Sequence, residues 1–337
     1  MIRTGLGWGL TIVLAVAALA LPAEATAAPK KSVKKKATVS SKASAASTRA
    51  RRHWVPAVPS LGHASGLQAT NDPLDLKSSV ALVMDQETDE VLFSKNSHAV
   101  LPIASLTKLM TALVVTEAGL PAQEKLSISQ EDIDTEKGSR SRLRVGTELS
   151  REQLMHLALM ASENRAANAL GRNYPGGTDS FVAAMNRKAV QLGMKDTRFV
   201  EPTGLSSQNR SSARDLAVLV KAAYAHPVIG ELSVSPAFAV EVGSRQLQFH
   251  NTNRLVGSPS WEIGLQKTGY ITEAGRCLVM QAKLAGRQLI LVFLDSAGKY
   301  SRLGDAERVR RWVSDLAPAV VPTPILPMAS AIAQPDS

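Results

Sequence analysis

The feature that most limits what this chain can fold into is a hydrophobic period that switches from strand-like to helical and back again. Ser79 to Met84 (Ser-Val-Ala-Leu-Val-Met) is a short β-type run, and Val91-Leu92-Phe93 follows it across the polar stretch Asp85 to Asp89, which reads as a hairpin. From Ser105 to Ala118 the spacing becomes three to four, carried by Leu106, Leu109, Met110, Leu113 and Val114 and stopped by Gly119. Helical patterns continue over 151–160, 179–192 and 212–225. Strands then return at Phe238–Val242, Arg276–Ala282 and Gln288–Leu294, the last two joined by Leu284-Ala285-Gly286-Arg287. An amphipathic segment from Tyr300 to Leu316 closes the pattern. Strands at both ends enclosing a helical insertion imply one α+β domain over about 71–316, whose antiparallel sheet is assembled from distant segments.

The flanks differ from this domain. Met1-Ile2-Arg3, a mostly apolar run from Leu6 to Ala20, and the cleavage options Ala23-Glu24-Ala25 and Ala25-Thr26-Ala27 make residues 1–27 a secretory signal peptide. The run is shorter than the roughly 20 apolar residues a membrane span needs. Net charge is +10, but nine basic residues and no acidic ones lie between Lys30 and Arg52. Subtracting those nine, with Arg3 and Glu24 cancelling, leaves +1 for residues 53–337. The basic character thus belongs to a linker over 28–70, rich in Ala, Ser, Thr and Lys and expected to be disordered. It suits either weak attachment to an anionic envelope surface or simple solvation, and export argues against nucleic acid as its partner. Residues 317–337 are a Pro/Ala-rich tail with Asp336 as their only charge, also expected to be disordered and without the basic amphipathic helix of an interfacial anchor. The single cysteine, Cys277, excludes an internal disulfide and reads as a packing residue in an apolar run.

Three short strings carry chemistry. In Pro102-Ile103-Ala104-Ser105-Leu106-Thr107-Lys108, a serine precedes a lysine by three positions at a helix start, which puts both side chains on one face. A serine hydroxyl becomes a useful nucleophile when a neighbouring base takes its proton. A lysine can be that base when burial or a second cation lowers its pKa from about 10.4. Ser162-Glu163-Asn164 follows the 151–160 helix, and a break there would direct Ser162 and Asn164 into one cleft; a plain helix cap is the simpler alternative. Lys267-Thr268-Gly269-Tyr270 offers a cation, a hydroxyl and a glycine beside which a substrate backbone can lie along an edge strand. Each string alone is weak; the three in this order are specific.

Together, Ser105-x-x-Lys108, Ser162-x-Asn164 and Lys267-Thr268-Gly269 resemble the three motifs of penicillin-binding proteins and class A β-lactamases. The longer strings Leu101–Met110, Arg198–Leu205 and Glu273–Met280 resemble D-alanyl-D-alanine endopeptidases of the penicillin-binding protein 7 type, over roughly 71–316. This resemblance implies a serine β-lactamase/transpeptidase-like α+β fold, with an antiparallel sheet, helices on both faces and a mainly helical inserted subdomain. It also implies a periplasmic enzyme acting on the D-alanyl cross-links of peptidoglycan and acylated by β-lactams. By resemblance Ser105 is the nucleophile, Lys108 its general base and Ser162 a proton relay. Asn164 would hold the acyl-side amide, Lys267 and Thr268 the terminal carboxylate, with Gly269 beside them. The backbone N–H groups of Ser105 and Tyr270 would form the oxyanion hole.

Departures from relatives narrow the expectation. Glu201-Pro202-Thr203-Gly204-Leu205 stands where related carboxypeptidases commonly have Asn-Pro-His-Gly-Leu, and little chain follows the final helix to hold their extra β-rich domain and membrane-binding tail. Both favour an endopeptidase over a D-alanyl-D-alanine carboxypeptidase. A β-lactamase using Glu201 for deacylation fits the Pro-x-Gly-Leu string less well, and a non-catalytic wall-binding scaffold has no need of Ser105, Lys108, Ser162 and Lys267 together. No metal or other cofactor is expected, because the six histidines show no HxxH or HExxH spacing.

Overall fold

The computed structural model describes residues 58–316. The signal peptide, most of the basic linker and the Pro/Ala-rich tail lie outside them. The elements run α1 (Leu61–Ala64), β1 (Ser78–Asp85), β2 (Val91–Lys95), β3 (Leu101–Pro102), α2 (Thr107–Glu117), β4 (Lys125–Ser127) and β5 (Glu148–Ser150). They continue with α3 (Arg151–Met160), α4 (Asn164–Arg172), α5 (Gly177–Gln191), β6 (Arg210–Ser211), α6 (Ala213–Tyr224) and α7 (Pro227–Val234). The chain closes with β7 (Ala237–Val242), β8 (Arg245–His250), β9 (Glu262–Ile271), β10 (Gly275–Leu284), β11 (Arg287–Ser296) and α8 (Ser301–Asp315).

Five strands form one antiparallel sheet in the order β2-β1-β11-β10-β9. The first strand pairs with the last, Val80 opposite Leu294 and Met84 opposite Ile290, so the expected assembly from distant segments holds. Side-chain alternation divides these strands between two cores. Val80, Leu82, Val279, Ile290 and Val292 face the helical side, where they join residues of α2 and α6. Ala81, Val83, Met280, Leu291 and Phe293 face the other way and meet Ala306, Val309 and Val313 of α8. A sheet covered on both faces needs no polar side, which is why Leu289–Leu294 is apolar at every position.

The helical insertion packs around α2, whose residues 107 to 115 are all buried. A helix apolar all round must sit at a centre rather than on a surface. α3 starts on a capping box, with Ser150 Oγ accepting from Gln153 N and Gln153 Oε1 accepting from Ser150 N.

The structure departs from the expected pattern in several places. Phe238–Val242 is a strand, but it pairs only with β8 in a separate two-stranded hairpin, because its alternate residues face solvent rather than a second core. α4 and α7 were not anticipated; α4 is short, and its buried face is made mostly of small residues (Ala166, Ala167, Ala169, Gly171) with Leu170. Residues 60–69, ahead of the expected domain start, form α1 and a 3₁₀ turn. They are tied to the sheet end by Leu61 N to Glu273 O at 2.9 Å and by His63 Nδ1 to Asp295 Oδ2 at 3.3 Å.

Candidate active site

Ser105 does not begin the α-helix itself. It lies in a 3₁₀ turn, Ala104–Leu106, that feeds α2, and Ala104 before it has φ 47°. A left-handed alanine stores strain of order 1–3 kcal/mol that the surroundings must impose. Here the surroundings are visible. The loop 201–206 presses on this turn, and a Cβ on Gly204 (φ 84°) would stand 1.9 Å from Ala104 O. On the other side β9 passes so close that a Cβ on Gly269 would lie 3.0 Å from Ile103 O and 3.1 Å from Ser105 N. Glycine is needed at both positions for the chain to hold the serine between them.

Lys108, one turn on, is fully buried and its Nζ reaches three oxygens: Ser105 Oγ at 2.9 Å, Asn164 Oδ1 at 2.7 Å and Thr203 O at 2.6 Å. Two of these are carbonyl-type acceptors without a proton to give, and only the serine hydroxyl can donate. A neutral amine has two N–H bonds and one lone pair, so it satisfies all three partners when it donates to Asn164 and Thr203 and accepts from Ser105. Burial pulls the Lys108 pKa down to about 8, against the opposing pull of Glu201 and Glu163. The geometry therefore suits a lysine that takes the serine proton.

The second motif sits at the break between α3 and α4, where Ser162 has φ 60° and Asn164 is the first residue of α4. This left-handed kink turns both side chains into the cleft, as the sequence predicts. Ser162 Oγ accepts from Lys267 Nζ at 2.9 Å, whereas Asn164 is committed on both sides, to Lys108 through Oδ1 and to Ser139 Oγ through Nδ2 at 2.9 Å. Asn164 thus positions the base in this state, a role that comes before any contact with a substrate amide. Between them, burial pushes the Glu163 carboxyl up.

Lys267, Thr268 and Gly269 lie on β9, the edge of the five-stranded sheet. Lys267 is fully buried, bonded also to Thr268 O at 2.8 Å, and desolvation together with Lys108 and Arg302 holds its pKa well below the ordinary lysine value. Thr268 Oγ1 donates to Thr252 Oγ1 at 2.7 Å. Tyr270 is exposed, with the Arg276 guanidinium 4.4 Å from its ring centroid. Direct contacts thus join Lys108 to Ser105 and Asn164, and Ser162 to Lys267, with Gly269 packed against the serine turn; Thr268 stands beside Lys267 on β9 and Tyr270 follows with its side chain exposed.

Several contributors were not read from the sequence. The Thr203 carbonyl is a main-chain group and carries no side-chain signature. Ser139 and Thr252 are ordinary loop residues until the fold brings them to Asn164 and Thr268. Glu201 is locked, accepting from Thr203 N and Gly204 N at 2.6 Å each, from Thr203 Oγ1, and from Asn209 Nδ2 at 2.8 Å. A carboxylate so engaged holds a loop and is not free to activate water, which agrees with reading Glu201 as part of a peptidase string.

The comparisons with known proteins agree with this geometry. A D-alanyl-D-alanine endopeptidase of Pseudomonas aeruginosa is 49% identical over 241 residues, covering 71% of this chain and 78% of the relative. One of Escherichia coli is 43% identical over 261 residues, 77% of this chain and 84% of the relative. The crystal structure of the Streptomyces K15 DD-transpeptidase superposes with a TM-score of 0.67 at 26% identity, over 72% of this chain and 99% of that one. Residues 67–298 match the family described as D-alanyl-D-alanine carboxypeptidase, peptidase S11, and the chain belongs to that family.

Proposed function

We propose that this chain is a serine DD-peptidase that hydrolyses D-alanyl cross-links of peptidoglycan through an acyl-enzyme on Ser105. The observation that carries the reading is the buried Lys108 amine, 2.9 Å from Ser105 Oγ and provided with two acceptors for its N–H bonds. Ser105 Oγ attacks the D-alanyl carbonyl carbon while its proton passes to Lys108 Nζ. The oxygen that becomes negative is stabilised by the N–H groups of Ser105 and Tyr270, a contribution that is often the largest in such reactions. Ser162, held by Lys267, gives its hydroxyl proton to the departing amine as the C–N bond breaks and takes in exchange the proton held on Lys108, leaving an ester on Ser105 and both side chains neutral. Water then attacks that ester by the reverse route, releasing the acid and restoring the hydroxyl. Lys267 and Thr268 bind the carboxylate end of the substrate, and β-lactams acylate the same serine.

Cleavage of cross-links, rather than trimming of terminal D-alanine, is supported by the identities to endopeptidases of 49% and 43%, against 33% to a Bacillus subtilis carboxypeptidase. Action in the periplasm is part of the same reading, and the signal-peptide pattern of residues 1–27 supports it. Fluorescent penicillin tests the acyl-enzyme: a covalent adduct is expected with the wild type and none with Ser105→Ala. A folded wild-type protein that fails to label rules the mechanism out. Digestion of purified sacculi tests the substrate: muropeptide dimers should fall, whereas loss of terminal D-alanine alone would assign a carboxypeptidase.

A further inference from the structure

Beside the catalytic cleft lies a groove of about 510 Å³ between the loop that carries Ser139 and the turn joining β7 to β8. Arg142 and Arg144 line one wall, Arg245 the other, with Ser141 and Ser244 between them and no acidic side chain among the lining. All three arginines are exposed. The nearest acid on the hairpin, Glu241, is next to Val242 on β7 and therefore points to the opposite face of the strand. This concentration stands out because residues 53–337 together carry only +1.

Both walls are continuous with the active site. Ser139 accepts from Asn164, and the carbonyl of Leu143 accepts from Arg165 Nη1 at 2.7 Å. From the other wall, β8 ends at His250, two positions before Thr252, the partner of Thr268. Arg142 is the fixed member: it donates to Gln248 O and lies 3.9 Å over the Phe249 ring, stapling loop to hairpin. Arg144 and Arg245 remain available for a ligand.

From this arrangement we infer that the groove is the subsite for the second stem peptide of a cross-link, binding its free carboxylates through Arg144 and Arg245. The inference rests on the cross-link reading above. A cross-link joins two peptide strands, and one catalytic cleft accommodates the acylated strand; the other must leave along an adjoining surface. Guanidinium groups suit that strand because they pair with carboxylates in a fixed fork. A substrate without a second strand has nothing to place there.

The test is the pair Arg144→Gln and Arg245→Gln, singly and together. Hydrolysis of a purified muropeptide dimer should lose about 5-fold in kcat/KM per arginine and about 30-fold in the double variant, the scale of exposed charge-assisted contacts. A monomeric pentapeptide and fluorescent penicillin, which do not enter the groove, should change by less than about 2-fold. Dimer affinity, measured calorimetrically in the Ser105→Ala background, should fall in parallel, and should fall equally for the wild-type groove when only the second-strand carboxylates other than the one bound by Lys267 and Thr268 are amidated. Equal losses on dimer and pentapeptide, or full dimer affinity in the double variant, overturn the inference. A wild type that trims pentapeptide but leaves dimers intact refutes the cross-link reading. In that case calorimetry still decides whether the groove binds a carboxylate-bearing strand.

Discussion

Replacing Glu201 with glutamine separates three roles that a carboxylate beside an acylating serine can play. In the structure its two oxygens accept from the Thr203 and Gly204 N–H groups, the Thr203 hydroxyl and the Asn209 amide. A glutamine keeps one acceptor oxygen and turns an NH₂ toward the other donors, so one or two of these groups lose their partner. Each buried donor left unmet costs about 1–3 kcal/mol, giving a loss of about 1–6 kcal/mol. For a domain of this size that lowers Tm by about 2–24 °C. The same substitution removes a negative charge that opposes the effect of burial on Lys108, so the Lys108 pKa falls further. Because the neutral amine is the base, the rising limb of the acylation-pH profile should move to lower pH. Deacylation, which does not use Glu201 here, should fall no more than acylation does. Thermal denaturation, stopped-flow acylation by fluorescent penicillin from pH 5 to 10, and adduct lifetime read these three quantities. An unchanged Tm together with a long-lived adduct would show that Glu201 activates the hydrolytic water, and the structural reading of its hydrogen bonds would be wrong.

Other consequences follow from the same geometry. Wild-type acylation should rise with pH through about 8, the Lys108 pKa, and fall about tenfold per pH unit well below it; a flat profile from pH 6 to 9 would exclude Lys108 as the base. Ser105→Ala, Lys108→Ala and the double variant should show similar residual hydrolysis, because members of one catalytic unit are not additive; multiplicative losses would place Lys108 outside it. Gly204→Ala should destabilise by about 2–4 kcal/mol in urea denaturation, since the new methyl group meets Ala104 O at 1.9 Å and the backbone is left-handed; a stability within about 0.5 kcal/mol would contradict the close approach. Gly269→Val should fold but acylate at least about tenfold more slowly, as β9 is pushed from Ser105 N; unimpaired labelling would show that this contact does not shape the site.

The α+β class, the pairing of distant strands and the motif residues that the fold brings together were legible because each leaves a side-chain signal. Leu289–Leu294 announces a strand buried on both faces, and Arg151–Met160 carries its own capping box. The β7–β8 hairpin was only half legible: Gln246–His250 does alternate polar and apolar residues, but only Leu247 and Phe249 carry the apolar side of so short a run. Lys267–Tyr270 is short as a sequence signal for a strand, and only the nine residue pairs between β9 and β10 establish the edge strand. Within the site, Ser105, Lys108, Ser162 and Lys267 were visible as motif positions. The forces that tune them were not. The third partner of Lys108 is a backbone carbonyl, the tension at Ser105 is a positive φ on an alanine, and Asn164 turned out to hold the base rather than to stand free.

The pairing of β1 with β11 also governs when the enzyme comes into being. Val80 and Leu294 are neighbours in space but more than two hundred positions apart in the chain, so the central ladder closes a very long loop. Contacts of that span form late and slowly. Until β11 is available, β1 has only the short β2 beside it, and the β9–β10 hairpin has no strand joining it to β1. Ser105 is therefore synthesised early and armed last: a partial chain holds the nucleophile without the strand that presents a substrate to it. Silence until the final strand arrives is thus written into the strand order itself.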